Sequence, residues 1–173
     1  MLVPTDVLPS ALGFAWGLSR EQCLARLNSA VVQSGSLYIV VQLTIRDETD
    51  DVDLIFNSAS GDAGLERLRV YLYRSRDFWE PHEGDEEERS TLDAAYQDHY
   101  DRLVKEYTAL LGLPTYTGTW EWNNEEGYPE SEAAGQLTYW TTPEGRLQLL
   151  YTQQDPELPY EITLECYRAE SSA

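Results

Sequence analysis

The sequence predicts an α+β fold, with two helices packed on one face of an antiparallel sheet. Three observations predict it. Ser19-Arg20-Glu21-Gln22 reads as a capping box that opens a helix. Apolar residues recur every three or four positions from Leu92 to Leu110. Each helical stretch is followed by short β-rich runs with one apolar face. The order is helix, three strands, helix, then three or four strands, so the second half repeats the first as a helix plus a three-stranded meander. One domain over residues 1–173 is expected, with pseudo-repeat halves at about 13–76 and 90–168 joined by an acidic loop at 77–89.

Residues 1–12 form an irregular lead-in, because Pro4 and Pro9 break any helix. In the first helix the Ser19 hydroxyl takes the Gln22 amide, and Gln22 reaches back to the Ser19 backbone. Leu18 and Cys23 stand where a hydrophobic staple would, and Glu21 places negative charge in the first turn. The helix should end near Asn28 to Ala30. Leu37 to Ile45 is a strand, apolar through its middle, and Arg46 to Asp51 a polar turn. Val52, Leu54 and Phe56 alternate with Asp53 and Ile55 in a second strand. After a Ser/Gly loop at Ser58 to Gly64, Leu68, Val70 and Leu72 alternate with Arg67, Arg69, Tyr71 and Tyr73.

Phe78 to Arg89 is a loop with an acidic core, too charged to bury. A long helix follows at about Thr91 to Leu111, with Gly112 at the left-handed cap position and Pro114 beyond it. Thr119 to Asn123 reads as a short strand. Gln136 to Thr141 and Arg146 to Thr152 are strands around the turn Thr142-Pro143-Glu144-Gly145. In the last strand Tyr160, Ile162, Leu164 and Cys166 alternate with Glu161, Glu165 and Tyr167. The face opposite the helices would carry Arg67, Arg69, Tyr71 and Tyr73 with Glu161, Glu165 and Tyr167, and cross-strand Arg–Glu pairs fit there.

The charge is −19, from 12 Lys and Arg against 31 Asp and Glu. Such a field repels nucleic acid and anionic membranes and speeds encounter with a basic partner. No stretch reaches the length of a membrane helix, and the N-terminus lacks the basic region of a signal peptide. A cytoplasmic location follows, with Cys23 and Cys166 as buried thiols; a disulfide between them stays open. Twelve Tyr and five Trp against three Phe favour surfaces that are both apolar and wet.

Gly17 to Gln22, with Leu24 and Leu27 behind it, resembles the "G-M-S/T-x-E-x-V…L-G" opening of small bacterial α+β repeat proteins. These include the outer-membrane assembly lipoproteins of SmpA/OmlA type and the tandem-repeat beta-lactamase inhibitory protein. Tyr107 to Pro114 is similar to the helix end of such units. The resemblance implies a solvent-facing sheet that docks another protein. This chain departs from those relatives in having no secretion signal and no lipobox cysteine near its start.

The chemistry-bearing residues form no catalytic pattern. His82 and His99 have no partner at metal-ligand spacing. Glu83, Asp85 and Glu87 are spaced like a calcium loop, but the sixth position is Glu88 and the twelfth Ala94. No phosphate loop, dinucleotide fingerprint or nucleophile elbow is present. No cofactor and no metal are expected. The function expected is a non-catalytic, acidic protein-binding module, of inhibitor or immunity type, that neutralises a basic partner such as a toxin as a monomer or weak dimer. The candidate partner-binding residues are Tyr71, Tyr73, Glu86, Glu87, Trp120, Trp122, Tyr128, Trp140, Glu161, Glu165 and Tyr167. The alternatives are a carboxylate-based hydrolase with a cleft between the halves, and a non-catalytic assembly subunit.

Overall fold

The computed structural model describes residues 3–27, 31–34, 38–45, 48–56, 64–75, 85–119, 135–152 and 160–168. A 3-10 turn at Pro4–Val7 precedes two helices, α1 (Arg20–Arg26) and α2 (Asp85–Leu111). The strands are β1 (Val31–Ser34), β2 (Tyr38–Ile45), β3 (Glu48–Phe56), β4 (Leu65–Arg74), β5 (Tyr116–Thr119), β6 (Gln136–Thr142), β7 (Gly145–Thr152) and β8 (Glu161–Arg168). They form one sheet in the order β1-β2-β3-β4-β8-β7-β6-β5. The pairings β1–β2, β2–β3, β3–β4 and β5–β6 are antiparallel, so the fold is α+β.

The capping box at Ser19 is formed in full. The Gln22 amide donates to the Ser19 hydroxyl at 3.3 Å and the Ser19 amide to the Gln22 side chain at 2.8 Å. Glu21, in the first turn, accepts from the Ser19 hydroxyl. Its carboxyl is held below the usual range by a backbone hydrogen bond first, then by Ser19 and Arg20. The helix ends at Arg26, before Asn28, because Leu27 leaves helical geometry with ψ 85°. Strand β3 begins at Glu48, inside the stretch expected to be a polar turn. Glu48 and Thr49 pair with Ile45 and Thr44, so ladder bonds outweigh the low strand propensity of the acidic residues. Similarly α2 begins at Asp85, and the acidic 85–89 segment belongs to the helix rather than a loop; carboxylates at a helix start are favoured by its dipole. Strand β5 lies at Tyr116–Thr119, ahead of the Thr119 to Asn123 stretch expected, whose later residues fall outside those described. Strand β1 was not foreseen.

The chain divides into two compact units. The first is Met1–Tyr71 with Thr141–Leu147 and Leu164–Ala173; the second is Leu72–Trp140 with Gln148–Thr163. In the first unit, period-two alternation sets the core. Ile39 pairs with Leu54 and Leu54 with Leu68; Val41 pairs with Val52 and Val52 with Val70. All six are fully buried, as are Cys23 and Cys166, whose thiols are both free. The lead-in is fastened to this unit. Trp16 donates its indole N–H to the Glu144 carbonyl at 2.6 Å, Ser10 donates to the Glu144 carboxylate, and Gly17 and Leu18 exchange backbone bonds with Leu65. The approach there is so close that a Cβ on Gly64 would stand 2.8 Å from the Gly17 Cα.

In the second unit α2 lays Tyr96, Tyr100, Leu103 and Tyr107 inward, on the predicted stripe. Leu110, the last member of that stripe, is 55% exposed instead, and Leu113 is 88% exposed. Tyr100 donates to the Thr138 hydroxyl at 2.9 Å, and Tyr107 meets Trp140 edge to face at 6.1 Å. Tyr96, Tyr151 and Tyr160 form a cluster of rings 5.5–6.4 Å apart. Tyr151 donates to Asp93, and burial, reinforced by that carboxylate, pushes its phenol up. A separate buried pair, Leu137 and Leu150, is covered by Tyr116 and Tyr139, which stack at 5.5 Å.

Candidate protein-docking face

The first unit carries a second set of side chains, alternating with its core positions. Strand pairing arranges them in rows across the sheet. In one row Tyr38 pairs with Ile55 and Ile55 with Arg67. In the next Val40 pairs with Asp53 and Asp53 with Arg69. Strand β8 continues both. Arg67 donates to the Tyr167 hydroxyl at 2.9 Å, and Arg69 donates to the Glu165 carboxylate. Arg146 on β7 extends the first row, its guanidinium 4.7 Å from the centre of the Tyr167 ring; Arg67 lies 5.4 Å from the same centre. Tyr38 is 36% exposed, and Val40, Ile55, Arg67, Tyr71 and Tyr167 are half-buried.

Glu165 is fully buried, with Arg69 bonded to it and Arg67 at 3.7 Å, each guanidinium side chain 23% exposed. Burial pulls the Arg69 guanidinium down, but the Glu165 charge and the bond to it, helped by Tyr71, outweigh that and hold it above the ordinary arginine value. A carboxylate taken wholly out of water is tolerable only when paired and hydrogen-bonded in this way. Its effect is to hold two long, flexible side chains in position on the sheet. Tyr71 is held likewise, donating to Asp53 at 3.2 Å.

The predicted candidates separate into groups. Tyr71, Glu165 and Tyr167 come together here, but Glu165 is a buried counter-ion and not a surface carboxylate. Tyr73 does not join Tyr71. Its ring stacks on His99 of α2 at 4.4 Å and its hydroxyl accepts from Arg102 at 2.9 Å, so alternation along β4 serves the row only as far as Tyr71. Glu161 is paired with Arg74 at 2.9 Å in the second unit. Trp140 is buried and donates to the Gly112 carbonyl at 3.1 Å, which makes it a core residue. The expectation that the face opposite the helices is wholly open therefore needs correcting: Glu165, Gln148 and Thr163 are buried. Trp120, Trp122 and Tyr128 lie outside the described residues; Glu86 and Glu87 lie in α2, and their side chains are outside them too.

Sequence reasoning missed Tyr38, Ile55 and Arg146. The apolar run of β2 hid Tyr38 and Val40 among buried positions, and Arg146 stands beside a turn, where a base usually points to water. Among the described residues no three His, Cys, Asp or Glu side chains converge as metal ligands, and no helix is long and apolar enough to cross a membrane. Comparison with protein-family models, curated proteins and solved structures gives no match.

Proposed function

We propose that this chain is a non-catalytic protein-binding module of inhibitor or immunity type, docking on a basic partner such as a toxin. One observation carries the proposal. Tyr38, Ile55, Arg67, Tyr167 and Arg146 form a solvent-reaching row in the first unit, with Arg67 fixed in advance by the buried Glu165. Tyr and Arg are the residues that most often anchor interfaces, and side chains held before binding lose little freedom on binding. The −19 charge draws a cationic protein in, mainly through the association rate.

A photo-crosslinking residue at Gln42, exposed and two positions from Val40 on the same strand, would capture the partner in cells. The captured protein is expected to be basic, with affinity falling about tenfold or more as salt rises from about 50 to 300 mM. Tyr167→Ala should weaken the purified complex by roughly tenfold or more at fixed salt. Salt-independent affinity, or full affinity in Tyr167→Ala, would overturn the proposal.

A further inference from the structure

We propose that His99, Arg102 and Glu106 form a proton-operated switch on α2. A neutral His99 holds Arg102 across to β4, and a second proton on His99 passes Arg102 to Glu106. All three residues, with the Tyr73 they meet, belong to the second unit, whereas the docking face belongs to the first. Positions 99, 102 and 106 share one stripe of the helix. Arg102 Nη2 donates to the Tyr73 hydroxyl at 2.9 Å and lies 2.9 Å from His99 Nδ1, which uses both hydrogens of that nitrogen. A guanidinium carries donors only, so His99 Nδ1 is the acceptor and the ring hydrogen sits on Nε2. The partner thus sets the charge as well as the tautomer, because an imidazolium has no lone pair to offer.

Two ionic groups beside this bond are unmatched. Arg102 forms no ion pair among the described residues, although Asp98 and Glu106 stand four positions to either side of it. Glu106 Oε2 is buried and has no hydrogen-bond partner among them. Asp98, by contrast, is exposed, and water serves it. While His99 is neutral, two hydrogen bonds outweigh a surface pair in the Arg-before-Glu order, the weaker order on a helix. A second proton sets a donor and a positive charge 2.9 Å from Arg102 and drives the guanidinium off. The ring itself stays: it stacks on Tyr73 at 4.4 Å, and a cationic ring over a phenol is attracted more strongly. The other group facing His99 is the Tyr96 phenol, edge-on at 6.3 Å. Glu161 of β8 acts on Tyr96 and is paired with Arg74 of β4 at 2.9 Å. Arg102 therefore turns to the unpartnered oxygen of Glu106 one turn along, and α2 exchanges a tie to β4 for a tie within itself.

Nitrogen-edited NMR of the full chain tests this, in a His82→Gln background that leaves a single histidine. At about pH 8, His99 should carry its hydrogen on Nε2, with Nδ1 bare. Between about pH 8 and about pH 5, the Arg102 side-chain nitrogens should shift with the same midpoint as the His99 ring. Glu106→Gln should remove most of that shift while His99 still titrates. Asp98→Asn, at the other neighbouring acid, should leave it intact. A hydrogen on Nδ1 at the upper pH overturns the proposal, as does an Arg102 that ignores the protonation of His99. So does a His99 that takes no second proton over that range, an undiminished shift in Glu106→Gln, or the loss of the shift in Asp98→Asn.

Discussion

Replacing Glu165 by glutamine keeps the shape of the side chain and removes its charge from between two guanidiniums. Glu165 has no exposed surface, while Arg67 and Arg69 each keep 23% of their side-chain exposure. Breaking a fully buried ion pair costs about 3–5 kcal/mol, because the remaining charge is stranded. Here both remaining charges retain contact with water and can turn outward, which sets the expected loss at the lower end, about 3 kcal/mol. For a chain of 173 residues this corresponds to a fall in Tm of about 6–12 °C. Urea denaturation gives the free energy directly, provided the slope m is unchanged from wild type. The double variant Glu165→Leu with Arg69→Met should recover much of the loss, since an apolar pair of similar volume needs no counter-charge. A loss below about 1 kcal/mol in Glu165→Gln, at unchanged m, would refute the claim that this carboxylate is held dry against its partners.

Three further perturbations probe other parts of the fold. Ser19→Ala removes the acceptor for the Gln22 amide and should cost about 1 kcal/mol, while Ser19→Asp should retain most of the stability; chemical denaturation separates the two. Gly64→Ala should cost about 3 kcal/mol, because its Cβ meets Gly17 backbone that cannot step aside. Gly112→Ala has open space around it and should cost only the left-handed strain, about 1 kcal/mol; equal losses would sink the close-approach argument. Burial pushes the Cys23 thiol up to about 11, against a smaller opposing effect of Arg26, and pushes the Cys166 thiol up to about 12, with Glu144 adding to it. Above pH 9 the unfolded thiols lose protons that the folded ones keep, so stability should fall as pH rises from about 9 through 11 and 12. Replacing both cysteines by alanine should flatten that part of the stability–pH curve. Both thiols should label with a disulfide reagent at neutral pH only as fast as the chain opens.

How much of this was legible in the sequence follows from how local each signal is. The α1 cap is encoded within four residues, Ser19 to Gln22, and it was readable in full. The core rows Ile39–Leu54–Leu68 and Val41–Val52–Val70 follow from alternation within single strands, and those were readable too. Trp140 was misread because β6 is packed on both sides: Thr138 meets Tyr100, and Leu137 packs with Leu150 and Tyr139. Alternation alone cannot say which of two buried faces a Trp takes. Arg67 and Arg69 opposite Glu165 could be anticipated from sign and spacing. The complete burial of Glu165 could not, since it depends on the neighbours that β4 and β8 acquire. Tyr73 shows the same limit, because its stacking on His99 joins residues that no short window contains.

Strand β8 has consequences for the order in which the molecule is assembled. Of the described strands it is the last in sequence order, yet it lies between β4 and β7 rather than at an edge. The contact between Arg69 and Glu165 spans 96 positions, so this join forms late, against a substantial loop-closure entropy, and folding should be slow for a chain of this size. Until β8 arrives, β4 and β7 each present an unpaired edge able to recruit another chain. Variants lacking residues 161–168 are thus the species expected to be most prone to aggregate.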